Sequence, residues 1–157
     1  MVCGYTFLES GMVRKKNAQF PLIKNLLIAC IAIVGWWMVG YGLAFGNVDN
    51  FIGQDGWFFV SEGFEKMVGD NYLRFVYELA YCVLCCVFFT GPLAERTRLV
   101  GYLGYAFILS CYVYPVIVAW VWGGGWLAKR GFHDFAGSGV VHLVAGTSGF
   151  WGAIFLG

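Results

Sequence analysis

The sequence predicts an all-α protein, a polytopic bundle of membrane-spanning helices. Three observations carry that prediction. First, of 157 residues 60% are hydrophobic, 20% aromatic and only 12% charged, with a mean hydropathy of +0.71. A soluble domain carries about 25% charge, so this chain lacks the polar surface to cover a water-exposed globule. Second, the charges leave long gaps: residues 25–48 and 99–128 carry none, and 135–157 carry none with His142 neutral. Residues 75–94 carry one, Glu78. Third, each gap reaches the roughly 20 residues that a helix needs to cross hydrocarbon.

The same numbers exclude other classes. Disordered chains are poor in apolar residues. Ten Lys and Arg against nine Asp and Glu give a net charge of +1, so no basic face exists for nucleic acid. The six cysteines (Cys3, Cys30, Cys82, Cys85, Cys86, Cys111) all lie in apolar stretches, unlike the framework of a disulfide-stapled secreted domain.

In chain order, residues 1–13 (MVCGYTFLESGMV) are too short to span and, with Glu9 and no basic start, do not read as a signal peptide. They are expected to be the last turns of a helix whose beginning lies outside the chain. Spans are expected at about 25–48, 72–94, 99–122 and 135–157. Internal Gly and Pro do not argue against them, because membrane helices tolerate both. Pro115 is expected to kink the third. Between the first two, residues 49–74 are rich in Gly and aromatics (GQDGWFFVSEG) and suit a short outer helix or an interfacial segment.

Loop charge sets orientation. The 14–24 connection (RKKNAQFPLIK) holds four bases and no acid, and 92–98 (PLAERTR) adds Arg96 and Arg98 against Glu95. On the other side, 49–74 holds five acids and two bases, and 123–134 holds Lys129, Arg130 and Asp134. The concentration of basic residues in the first short loop assigns 14–24 and 92–98 to the cytoplasm.

Few residues can carry chemistry. His142 is the only titratable group deep in the last segment. It follows Asp134 by eight residues, about 12 Å along a helix. Ala145, Gly149, Ala153 and Gly157 form a small-residue stripe that permits close helix packing. His142 lies beside it and is expected to face protein or a cavity, either as a packing histidine or as a functional intramembrane group. Asp134, in HDFAG, is expected to begin this helix as its N-cap. Trp120, Trp122 and Trp126 bracket Gly123–Gly125. Tryptophans belong at membrane interfaces, and glycines allow a sharp turn that exposes carbonyls. An indole face beside carbonyls attracts a small cation. Cys82, Cys85 and Cys86 share a helix face without a completing metal set and read as small packing residues. Glu95, Arg96 and Arg98 read as a cytoplasmic charge cluster, and Glu78 requires a partner or water.

Several stretches together resemble the ammonium transporter (Amt/Rh) family: GYTFLESGMVRKKNA, WWMVGYGLAFG, GPLAERTR, VWGGGWLA and DFAGSGVVHLVAGTSGF, in the family's order and over nearly the whole chain. The resemblance implies the N-terminal part of an inverted-repeat ammonium transporter fold, from the end of helix 1 through most of helix 5. It also implies a homotrimer when complete, a multi-pass location in the plasma membrane, no enzymatic activity and no cofactor. Ammonium or ammonia, with methylammonium as analogue, is the implied cargo. Trp122 matches the tryptophan of an outer cation-recruitment site, Asp134 the aspartate that supports it, and His142 the first of a pore-histidine pair. Tyr81, in AYC, stands where the family commonly has a gate phenylalanine. Glu78 stands for a common glutamine, and Val100 for a small polar residue tied to recruitment. Two other readings share the composition: a non-conducting structural or regulatory paralogue, and a membrane haem protein ligated by His142. The second would want another buried histidine, and His133 lies in the outer loop.

The charge distribution makes one expectation directly testable. A cysteine substituted for Asp55 is expected to react with an impermeant reagent on intact cells. Labelling only after permeabilisation would reverse the orientation.

Overall fold

The computed structural model describes residues 1–54 and 70–157. Residues 55–69, and with them most of the segment read as an outer helix or interfacial piece, lie outside the described residues. Helix α1 (Val2–Met12) is followed by a 3₁₀ turn at Lys15–Asn17. Helix α2 (Phe20–Gly35) runs through a π-helical turn, Trp36–Gly40, into α3 (Tyr41–Phe45). Helix α4 (Asp70–Phe88) ends at a 3₁₀ turn, Gly91–Leu93. Helix α5 (Leu99–Ile108) continues through a π turn, Leu109–Val113, into α6 (Tyr114–Val121), and α7 (Trp126–Lys129) is a short addition beyond the glycines. The last rod opens with a π segment, Ser138–Leu143, and becomes α8 (Val144–Leu156). Among the described residues four helices are long and apolar enough to cross a membrane: Lys15–Phe45, Tyr72–Leu93, Leu99–Lys129 and Ser138–Leu156.

The core shows what kind of solvent the bundle expects. Its largest fully buried side chains include Trp36, Tyr41, Tyr102 and Tyr114, while Leu26, Leu73, Ile108 and Phe155 are exposed. An apolar exterior of this extent suits lipid tails, and helix association then relies on close packing rather than on exclusion of water. One close approach lies where the π turns of two rods meet. A Cβ at Gly40 would stand 2.6 Å from the Ser110 carbonyl oxygen. Around this contact Trp36 packs on Tyr114 and Tyr41 at centroid distances of 5.7 and 5.9 Å. Pro115 sits in the first turn of α6, directly after the widened turn. Its missing N–H and its ring are thereby accommodated where the α-helical hydrogen-bond pattern is already interrupted. Cys82, Cys85 and Cys86 are buried, and the Cys86 thiol points to the Ala106 carbonyl at 3.8 Å.

Gly149 of the small stripe, and Gly152 near it, pack against an earlier segment of the chain. A Cβ at Gly149 would meet Pro92 Cγ at 2.8 Å and the Phe89 carbonyl at 3.2 Å, and one at Gly152 would meet Leu93 at 2.8 Å. The end of α4 and its 3₁₀ turn therefore seat α8.

Lys24 corrects the loop reading of 14–24. It lies within α2 and is 1% exposed, its ammonium paired with the Glu9 carboxylate, which is 4% exposed. The same carboxylate accepts from Asn25 Nδ2 at 2.9 Å and from the Thr90 hydroxyl at 3.4 Å. Asn25 also donates to Thr6 Oγ1 at 3.1 Å, and Lys24 stands 4.7 Å from the Tyr102 ring centroid. One base of the cytoplasmic count is thus committed to a buried pair. Glu95 likewise reaches neither Arg96 nor Arg98 but accepts from Asn17 Nδ2 at 2.6 Å and Arg14 Nε at 3.0 Å. The Asn17 amide, with help from Arg14, holds its carboxyl below the usual range.

Removing one partner of a buried ion pair leaves a charge without compensation. Lys24→Met is expected to cost about 3–5 kcal/mol, and adding Glu9→Gln to recover most of that loss. Thermal unfolding in detergent measures both, and a double variant no more stable than the single one would refute the pairing.

Candidate functional site

The site begins on one face of α4. Arg74, Tyr77, Glu78 and Tyr81 follow one another at helical spacing, so their side chains share that face. With Trp122 and Phe135 they line a cavity of about 250 Å³. The Tyr81 and Trp122 rings lie 5.6 Å apart, tilted by 55°. Tyr77 meets Tyr81 edge-on at 5.1 Å, their hydroxyls 2.9 Å apart. The Arg74 guanidinium lies 4.1 Å from the Phe45 ring centroid and 3.5 Å from the Trp122 carbonyl oxygen. Two sequence-predicted residues from different rods, Tyr81 and Trp122, are therefore in contact.

Trp122 is held from two directions. Its backbone N–H closes α6 by donating to the Val118 carbonyl at 2.7 Å, and its indole N–H donates to the Asp134 carbonyl at 2.8 Å. The glycines beyond it work differently from the expectation that they expose carbonyls. Gly124 supplies the turn with φ +81°, while Gly123 and Gly125 admit the carbonyls of Ala44 and Asn50, which a Cβ would strike. The Trp126 N–H then bonds to the Asn50 carbonyl at 3.0 Å.

Asp134 is buried and does not itself begin the helix. Its carboxylate reaches forward across a four-residue turn, closed by Gly137 at φ +88°. One carboxylate oxygen accepts from Gly137 N at 2.8 Å and Ser138 N at 3.0 Å, the other from Gly139 N and Val140 N at 2.8 Å each. The four N–H groups that a helix start leaves unpaired are thereby satisfied by one side chain. Burial pushes the carboxyl up, and the four backbone donors together outweigh it, leaving its pKa below the ordinary value.

His142 lies in the π segment, four residues past its first, Ser138, so about 6 Å along the axis and not the 12 Å expected when the helix is counted from Asp134. Its ring stacks on Phe88 with centroids 5.1 Å apart and planes within 22°. One face of the ring is thus against protein, and the residue is otherwise exposed among the described residues. Phe88 follows Tyr81 by seven residues, two turns of α4 and about 10 Å of rise. The Tyr81–Trp122 and Phe88–His142 contacts are therefore aligned on one helix face.

The profile of the Ammonium Transporter Family matches residues 1–157. The chain belongs to the ammonium transporter family. A Caenorhabditis elegans protein named putative ammonium transporter 1 is 38% identical, covering 100% of this chain and 30% of its own length. The tomato (Solanum lycopersicum) ammonium transporter 1 member 3 is 37% identical, covering 100% of this chain and 35% of that protein. Among solved structures, a sensor Amt protein superposes with a TM-score of 0.93 at 29% identity, covering 99% of this chain and 40% of that one. Candida albicans Mep2 superposes with a TM-score of 0.83 at 32% identity, covering 99% and 36%. The chain thus spans about a third of the length of the curated relatives it matches. It is a multi-pass membrane protein with the helical fold of these Amt and Mep structures over part of their length.

Within this family member, sequence reasoning missed Phe88, Tyr77, Arg74 and Phe135. The seven-residue spacing from Tyr81 would have flagged Phe88. Val100 is 79% exposed at the start of α5. Trp122 follows it by 22 residues on the same rod, about 33 Å further on, so Val100 is remote from the aromatic cluster. Among the described residues no group of three or more His, Cys, Asp or Glu is placed to hold a metal ion.

The Asp134 cap has a pH signature. A carboxyl whose folded pKa is depressed contributes stability that is complete above its unfolded value, about 3.9, and lost as pH falls through the folded value. Asp134→Ala is expected to cost about 2 kcal/mol, the upper end for a helix cap, and to flatten the acid limb of stability below about pH 4. Thermal melts across pH 3–7 measure both effects, and an unchanged acid limb would remove Asp134 from this role.

Proposed function

We propose that the protein carries ammonium or ammonia across a membrane. In this reading the cation is recruited between Trp122 and Tyr81, and neutral ammonia passes His142. The supporting observation is the alignment along α4: an aromatic, carbonyl-bearing cavity at one end of the bundle, and two turns further in, an imidazole stacked on a phenylalanine. Aromatic faces attract a small cation through their quadrupoles. Beyond them the surroundings become apolar, and a charge at the bilayer centre costs at least about 2.5–3.5 kcal/mol. Ammonia sheds most of that cost by leaving its proton behind. A neutral imidazole offers it one donor and one acceptor nitrogen. Asp134 supports the site without touching the cargo, by fixing both the start of the His142 helix and, through its carbonyl, the indole of Trp122. The family relationship supports a homotrimer in the plasma membrane, and the charge distribution an orientation with 14–24 and 92–98 inside.

Substitution of the histidine tests the reading. His142→Ala removes both the bulk and the nitrogen, and His142→Asp keeps a polar group but adds a potential buried charge. Both are expected to change methylammonium uptake or selectivity in cells expressing the protein, at near-normal surface abundance. A packing role predicts the opposite, namely less surface protein with unchanged uptake per molecule. Uptake normalised to surface protein separates the two.

A further inference from the structure

We infer that Glu78 is the anionic ligand of the outer cavity, giving it a carboxylate acceptor for a small monovalent cation that donates hydrogen bonds. The inference deepens the transport reading and rests on it for the identity of the cation. Three observations carry it. Glu78 is 7% exposed, and its Oε2 is buried with no hydrogen-bond partner. It lines the 250 Å³ cavity beside Tyr77, Tyr81 and Trp122. Arg74, one turn away, lines the same cavity and acts on Glu78 electrostatically, but makes its close contacts with the Phe45 ring and the Trp122 carbonyl and so leaves Oε2 without a donor.

The contrast with the other buried carboxylates is informative. Glu9 accepts from Lys24, Asn25 and Thr90, and Asp134 from four backbone N–H groups. An acid taken out of water without such donors is costly, and a buried polar atom left unsatisfied calls for an explanation. A cation in the cavity supplies one: its N–H groups satisfy the free oxygen while the surrounding rings of Tyr77, Tyr81 and Trp122 take the rest of its charge. Ammonium and methylammonium fit, because each brings donors as well as charge. The carboxylate makes capture an ion pair rather than a purely aromatic contact.

The test measures binding apart from transport. Purified protein in lipid nanodiscs is titrated with methylammonium, following tryptophan fluorescence. Glu78→Gln keeps the shape and removes the charge. It is expected to weaken binding about tenfold or more, the scale of a lost charge-assisted hydrogen bond. Uptake by the same variant is expected to show the loss in KM, with the maximal rate near wild type. Glu78→Asp keeps the charge but withdraws it by one methylene and is expected to fall between; it carries the test if Glu78→Gln does not reach the membrane. Equal dissociation constants for wild type and either available variant would overturn the proposal, as would a wild-type protein that binds no methylammonium. Binding that depends on Glu78 in a protein that transports nothing would uphold the ligand and refute the transport reading.

Discussion

One end of the bundle depends on the carboxylate of Glu9. It sits on α1 and takes donors from Lys24 and Asn25 on α2 and from Thr90 at the end of α4. In a medium that cannot hydrate charge, this arrangement has few alternatives, because each partner alone would be stranded. The consequences propagate. Thr90 leads into the 3₁₀ turn Gly91–Leu93, against which Gly149 and Gly152 pack. That contact seats α8, whose opening π segment carries His142. A pairing far from the cavity is thereby linked, through packed contacts, to the helix that carries His142.

The opposite end uses the same physics with backbone donors. Asp134 gathers the start of the last helix with its carboxylate and anchors the Trp122 indole with its carbonyl. The aromatic contact between Tyr81 and Trp122 is therefore fixed by a residue that belongs to neither ring's helix. Rigid elements hold a site more precisely than loops do, and here the loop itself is stiffened by six hydrogen bonds to one aspartate.

Much of this was legible in the sequence because the relevant physics is local. Long gaps between charges announce spans, and an acidic residue just before a helix announces a cap. What was not legible concerns contacts between distant segments. Lys24 reads as the last base of a loop until Glu9 is seen beside it. The glycines after Trp122 read as a sharp turn that exposes carbonyls until the Ala44 and Asn50 carbonyls are seen pressing on two of them. His142 reads as flanking the small stripe, yet its ring lies on Phe88, while Gly149 of the stripe packs on Pro92. Small-residue spacing marks a close approach but does not name the partner.

The widened turns at Trp36–Gly40, Leu109–Val113 and Ser138–Leu143 have a consequence for lineage rather than for packing. Each holds one more residue than an α-helical turn of the same rise, so it behaves as an insertion already absorbed by the helix. Losing that residue would restore an ordinary helix and swing everything beyond it by about 100°, carrying Tyr41, Tyr114 or Ala145 out of the core. Two of these turns face one another across the Gly40–Ser110 contact. A length change in one is then tolerated best with a matching change in the other, and alignment gaps at either position would be expected to occur in pairs.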